Sequence, residues 1–319
     1  MIESSIIRFA ITLTSEPCVR TFSILTDSHC YDGAHMTDKE AICARHIRPL
    51  APIPTGVAPD LSKMQPFSAM LFDVYGTLLI SGAGDIGFNQ EPRESVDELQ
   101  DLLHRYGIHR TPDRLAEALN LAILQSHSTS RQLGIDHPEV DVVQLWQQVL
   151  GMDDISAVKN FALAYELIVN PVYPMPGLED LLSACKTRKM PLGIISNAQF
   201  YTVFLLERFL GKTLEMGGID QRLLFFSWRE GHAKPSAHMF NRAKAVLFVM
   251  GIPAESVLVV GNDMRNDILP AASVGFKTAL FAADRRSFRQ RESDDRCRDV
   301  TPDLIVTDLR QLIAGAGNS

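Results

Sequence analysis

The spacing of apolar and polar positions gives this 319-residue chain stretches of different character. Residues 1–66 begin with two β-rich runs, 6–13 and 19–25, separated by Ser15-Glu16-Pro17, which can turn a hairpin. A short helix is expected near residues 37–45. Pro49, Pro52, Pro54, Pro59 and Pro66 then read as an extended linker. This segment is expected to pack loosely, or against a partner, outside the core. Ala69, Met70, Leu71 and Phe72 form an unbroken apolar run that stops at Asp73, the pattern of a strand buried on both faces.

Beyond that run the glycines Gly82, Gly84 and Gly87 suggest a hairpin or flap, and helical spacing takes over up to about residue 170. Val96, Leu99, Leu102 and Leu103 share a face in a helix over 92–106 that Gly107 stops. Thr111-Pro112 supplies an N-cap and a first-turn proline for a second helix, followed by two more over 140–150 and 155–168. From Pro174 the pattern alternates. Helices are expected over 178–187, 200–210, 235–250, 267–274 and 309–313, between strands at 191–195, 223–226, 257–260, 278–281 and 304–306. Alternation of this kind predicts a doubly wound parallel sheet with helices on both faces, an α/β fold. The domain plan is an extension over 1–66, a core from 67–85 and 171–319, and a helical insertion over 86–170.

Composition narrows the class. With 46% hydrophobic and 22% charged residues the chain is ordinary for a globular protein, and its net charge of -7 argues against nucleic-acid binding. No apolar run approaches a membrane span, so no membrane association is expected. Five scattered cysteines without a CxxC pair suit a reducing compartment, and the N-terminus lacks the basic and apolar regions of a secretory leader. A cytoplasmic protein is the expectation. His29, Cys30 and His46 match no metal-site spacing.

The candidate chemistry sits where predicted strands end. Asp73, Ser196-Asn197 and Asn262-Asp263 with Asp267 would converge on the carboxyl edge of the sheet, where open α/β sheets bind ligands. Lys234 precedes a helix start. Carboxylates, a hydroxyl and a lysine at one edge suit a divalent metal and a phosphate, and a carboxylate can also attack to give a covalent intermediate.

In these residues the chain resembles the haloacid dehalogenase superfamily, over about residues 69–312. The carrying motifs are Phe72-Asp73-Val74-Tyr75-Gly76-Thr77-Leu78, Ile194-Ile195-Ser196-Asn197, Lys234-Pro235, and Val260-Gly261-Asn262-Asp263 with Asp267. The resemblance implies a Rossmann-like core with a helical cap inserted after the first motif. It implies Asp73 as nucleophile and metal ligand, Ser196 holding a phosphoryl oxygen with Asn197 and Thr77, and Lys234 neutralising charge. It further implies Mg²⁺ held by Asp73, the Tyr75 carbonyl, Asp263, Asn262 and Asp267. Two departures matter. Tyr75 stands where the family's phosphatases carry an acid that protonates the leaving group, and in this the motif looks like the dehalogenases themselves. Asp263 and Asp267, in contrast, keep the acidic fourth motif that metal-free dehalogenation does not need.

Read together, the first expectation is a Mg²⁺-dependent hydrolase of a small phosphorylated metabolite, acting through an aspartyl-phosphate. The alternatives are a metal-independent 2-haloacid dehalogenase, and a catalytically weak binding or regulatory homologue. An arginine from the helical block over Asp73 would favour the second. Trp146 reads as helix core, and Arg93, His104, Arg105 and Arg131 as solvated faces.

Overall fold

The structure, a computed structural model, describes residues 37–83 and 93–316. The β-rich runs at 6–13 and 19–25 and the expected flap beyond residue 83 lie outside the described residues. The chain runs α1 (Asp38–His46), β1 (Ala69–Phe72), β2 (Leu79–Ser81), α2 (Arg93–Arg105), α3 (Pro112–Gln132), α4 (Val142–Leu150) and α5 (Ile155–Val169). It continues through β3 (Val172–Pro174), α6 (Leu178–Thr187), β4 (Leu192–Ser196), α7 (Tyr201–Leu210), β5 (Ile219–Phe226) and α8 (Ser227–Glu230). Then come α9 (His238–Val249), β6 (Val257–Gly261), α10 (Leu269–Ser273), β7 (Lys277–Phe281), β8 (Leu304–Val306) and a closing 3₁₀ segment, Leu309–Gly315.

Six strands form one sheet in the order β5-β4-β1-β6-β7-β8, every neighbouring pair parallel. The apolar runs explain both faces. In β1, Met70 and Phe72 pack with Leu178, Leu181 and Leu182 of α6 and with Leu309 and Leu312, while Ala69 and Leu71 pack with Met239, Phe240 and Leu247 of α9. The sheet is therefore doubly wound. From β1 the chain builds outward through β4 and β5, then crosses to the other side for β6, β7 and β8. The strand order reverses at β1, and the crevice beyond its carboxyl end is the expected ligand site.

A second, two-stranded ribbon escaped the sequence pattern. β2 pairs antiparallel with β3, joining Leu79 to Pro174 and Ser81 to Val172. Runs of three residues are too short to show alternation. The ribbon lies where the chain leaves for the helices α2 to α5 and where it returns. Those helices share a core in which Trp146, 1% exposed, meets Phe161 and Tyr165 edge to face at 5.0 and 4.8 Å. Trp146 is core, as its spacing predicts.

Loose packing of 1–66 does not hold for residues 37–66. Thr37 and Glu40 form a capping box on α1, and Cys43 is fully buried against Leu163, Leu167 and Leu205. The proline-marked stretch forms no helix or named strand, and it is tied to the core at a few points rather than loose. Asp60 and Ile305 exchange both backbone hydrogen bonds at 2.9 Å, Thr55 Oγ1 donates to the Ala282 carbonyl at 2.6 Å, and Phe67 N donates to the Gly315 carbonyl at 2.8 Å. β8 is an edge strand, and an open edge presents unpaired donors and acceptors that an extended segment can satisfy. Among the described residues no helix is long and apolar enough to cross a membrane.

Candidate active site

Asp73 is the first residue past β1, and its amide still donates to the Val260 carbonyl of β6 at 2.9 Å. The chain then turns sharply, the Val74 carbonyl accepting from the amides of Thr77, Leu78 and Leu79. The turn needs glycine at Gly76, where φ is +85° and a Cβ would lie 2.6 Å from the Ser287 side chain. On the adjacent strand, Gly261 leaves room for Asp267, whose carboxyl carbon would sit 2.3 Å from a Cβ there. These two glycines let the turn after Asp73 and the fourth motif close on one cavity.

That cavity, about 240 Å³, is lined by Asp73, Tyr75, Ser81, Asn197, Lys234, Asn262, Asp263, Asn266, Asp267, Ser287 and Arg289. A larger cavity of about 380 Å³ between residues 52–57 and the ends of β7 and β8 contains no motif residue. Chemistry, not size, selects the first.

Lys234 is its charge centre. Its Nζ donates to Asp73 Oδ1 at 2.7 Å, to Asp267 Oδ1 at 2.5 Å and to the Ile195 carbonyl at 3.2 Å. Burial disfavours the ammonium, but the charges of Asp267 and Asp73 outweigh it and hold Lys234 above its ordinary pKa. Burial pushes the Asp267 carboxyl up, against the pull of Lys234. Asn197 clamps the lysine backbone, accepting from Lys234 N at 2.7 Å and donating to its carbonyl at 3.1 Å. Its amide thus positions Lys234.

Two predicted site residues do not line the cavity. Thr77, fully buried, donates from Oγ1 to Asn262 Oδ1 at 3.1 Å, and Ser196, also fully buried, meets the Asn197 carbonyl at 3.4 Å. Tyr75 does line it, but its hydroxyl is bonded to Thr202 Oγ1 at 2.8 Å. Burial, helped by the charge of Glu166, pushes that phenol well above its ordinary pKa. Of the helical-block cations, His104, Arg105 and Arg131 are exposed and absent from the lining. The arginine at the cavity is instead Arg289, from the loop after β7, which sequence reasoning missed together with Ser81, Asn266 and Ser287. The only signal was the density of arginines in Arg285, Arg286, Arg289 and Arg291 just past a strand end.

The fit to a metal was tested on the lone pairs of the expected ligands. Asp267 spends Oδ1 on Lys234 and Oδ2 on the Asp263 amide at 3.0 Å. Asp263 caps the helical turn Met264–Ile268, accepting from Arg265 N at 2.8 Å and Asn266 N at 3.3 Å. Both its oxygens also accept from Arg291, Nε at 3.0 Å and Nη2 at 2.6 Å. Asp263, rather than Asp267, is therefore the N-cap of that turn. Asn262 is held between Thr77 and the Ser287 carbonyl at 2.7 Å. Among the described residues no group of three or more His, Cys, Asp or Glu side chains is arranged to hold a metal. A divalent ion between Asp73 and Asp263 does not fit this arrangement unless Arg291 first leaves Asp263.

Fold and cavity together define an α/β protein with a polar cavity at the switch point of a parallel sheet. Residues 67–275, well over half of the chain, match the haloacid dehalogenase-like hydrolases, and the chain belongs to that family. No curated protein matches it. Among solved structures it is similar to the 2-haloacid dehalogenase of Pseudomonas syringae pv. tomato (TM-score 0.51, 19% identity, 77% of this chain and 96% of that one). It is also similar to a HAD phosphatase of Thermococcus onnurineus (0.48, 17%, 79% and 100%). A magnesium-bound HAD hydrolase of Bacillus subtilis gives 0.46 and 17%, over 79% and 100%. At these identities the first likeness speaks for the fold, and the activity has to come from the site.

Proposed function

We propose that this hydrolase displaces a leaving group that needs no proton, by attack of Asp73 on carbon, and that its substrate is a small 2-halocarboxylate. The observation that carries this reading is Tyr75. In the position of a leaving-group acid stands a phenol tied to Thr202, with its pKa raised, so it is a poor proton donor. A halide departs without one. The pairing of Asp263 with Arg291 supports the same reading, because the displacement uses Asp73 and Lys234 alone.

In the first step Asp73 Oδ2, which among the described residues accepts no hydrogen bond, attacks the carbon bearing the halogen. The new C–O bond forms as the C–halogen bond breaks, and the halide leaves with the electron pair. Lys234, on Oδ1, orients the nucleophile. In the second step water attacks Cγ of the Asp73 ester and releases a 2-hydroxy acid. Asp267, bound to the same ammonium, takes one proton of the water and passes it to the departing alkoxide oxygen, while the water's other proton is released as Asp73 returns to its carboxylate.

Phosphoryl transfer is the second reading, favoured by the polar lining of the cavity and restricted to acyl or aryl phosphates, whose leaving groups also depart without a proton. Halide release from 2-chloropropionate, beside phosphate release from an aryl phosphate with and without Mg²⁺, tests both. Halide release without added metal, lost by at least about 10³-fold in Asp73→Asn, is the expected result. Phosphate release only, dependent on Mg²⁺, would replace the first reading with the second.

A further inference from the structure

We propose that Glu139, from the helical block, is a positioning residue for Lys234, so that the block and the charge centre of the cavity are mechanically joined. This role rests on the reading above only in that Lys234 orients Asp73.

Backbone pairing is the first support. The helical block joins the core covalently at its two crossings, and it is docked again through the loop between α3 and α4. Ala233 N donates to the His137 carbonyl at 2.7 Å, and Glu139 N donates to the Gly231 carbonyl at 3.1 Å. Pro138 and His232 thereby face each other as an antiparallel bridge. The core residues held in this way, Gly231, His232 and Ala233, are the three that lead into Lys234. Backbone pairing fixes the course of the loop and asks little of its side chains.

The Glu139 side chain adds a directed link, and this is the second support. Its Oε2 accepts from Ser227 Oγ at 2.5 Å, and Ser227 Oγ in turn accepts from Ala198 N at 2.9 Å. Ala198 follows Asn197, whose amide grips the Lys234 backbone on both its N–H and its carbonyl. Every step from Glu139 through Ser227, Ala198 and Asn197 to Lys234 is thus a hydrogen bond or a peptide bond. Ser227 is fully buried, and without the carboxylate its proton has only the Ala198 carbonyl, at 3.3 Å. Gln199 Nε2 holds the other carboxylate oxygen at 3.3 Å and the Val140 carbonyl at 3.0 Å. Burial raises the Glu139 pKa against the bonds from Ser227 and Val140 N. A carboxyl kept where burial disfavours its charge contributes little as packing, and its directed hydrogen bonds are what an apolar side chain could not supply.

The test is amide hydrogen exchange by mass spectrometry, beside steady-state kinetics, on the full chain. The proteins are wild type, Glu139→Ala, Glu139→Gln, Ser227→Ala, the double variant Glu139→Ala with Ser227→Ala, and Glu117→Ala. Glu117 is an exposed carboxylate of α3 paired with Arg114 and serves as the control. Exchange over residues 231–237 should be at least about tenfold faster in Glu139→Ala and Ser227→Ala, intermediate in Glu139→Gln and unchanged in Glu117→Ala, while β8 exchanges as in wild type. The double variant should exchange within about threefold of either single one, because both break the same link. In Glu139→Ala, kcat for 2-chloropropionate should fall at least about tenfold with KM within about twofold, since Lys234 holds the nucleophile and not the substrate. Equal exchange over 231–237 in wild type and Glu139→Ala, acceleration of the same size in β8, or an unchanged kcat beside faster exchange would overturn the proposal. Faster exchange confined to 231–237 in a protein that turns over no haloacid would support the link to Lys234 while defeating the proposed reaction.

Discussion

Lys234 donates to two carboxylates at once, so replacing it with methionine leaves Asp73 and Asp267 facing each other in a buried space. Both partners and the lysine are buried, and removing one member of such a set costs about 3–5 kcal/mol. Lys234→Met should therefore lower Tm by several degrees in calorimetry and abolish turnover. Tyr75→Phe should do little to either rate. It removes only the bond to Thr202, worth about 1 kcal/mol of stability, and a kcat within a few-fold of wild type is the expected result. A large loss of kcat would make the phenol a proton donor after all. At this scale the sequence was legible where a polar residue interrupts an apolar run, as at Asp73, Asn262 and Asp263. It was not legible for Thr77 and Ser196, whose hydroxyls turn away from the cavity into bonds with Asn262 and Asn197. Nor could it separate Arg289 from its neighbours, since no periodicity marks which arginine of a loop turns inward.

The element that joins helices to sheet is held by a buried polar network. Glu166 of α5 accepts from Tyr201 Oη of α7 at 2.8 Å and from Asn170 Nδ2 at 3.1 Å, and Ser81 of β2 donates to Asn170 Oδ1 at 2.8 Å. Burial raises the Glu166 pKa, with the two hydrogen bonds opposing. The native state thus holds this proton more tightly than the unfolded chain. Its contribution is fully present below the ordinary glutamate value, about 4.3, and is lost as pH rises through the raised value. Glu166→Gln cannot ionise, so its Tm relative to wild type should climb as pH increases above about 5. Melting curves of both proteins across that range check this, and a difference independent of pH would contradict it. The long helices and buried strands were legible because their apolar spacing persists over several turns or fills a whole strand. The β2–β3 ribbon was not, and the helix expected from residue 267 begins at Met264 because Asp263 caps it with its side chain.

Across the whole molecule, α1 and the segment after it complete the packing of two surfaces. A chain beginning at Met64 would expose Leu163, Leu167 and Leu205 and uncover the edge of β8. It should melt at lower temperature and aggregate more readily than a chain beginning at Thr37, which keeps both contacts. Equal melting temperatures would mean the segment is dispensable. The prolines marked this stretch as a linker, but no local pattern could tell a free linker from one that touches a sheet edge at Asp60, because its partner Ile305 lies over two hundred residues away. The central claim concerns Asp73, and one measurement bears on it most directly. A single turnover of 2-chloropropionate by excess protein in ¹⁸O water separates attack by Asp73 from attack by water. An ester hydrolysed at Cγ leaves the label in the Asp73 carboxylate, found by mass spectrometry of the peptide that contains it, and the 2-hydroxy acid carries none. Label in the 2-hydroxy acid with none in Asp73 would contradict the covalent route.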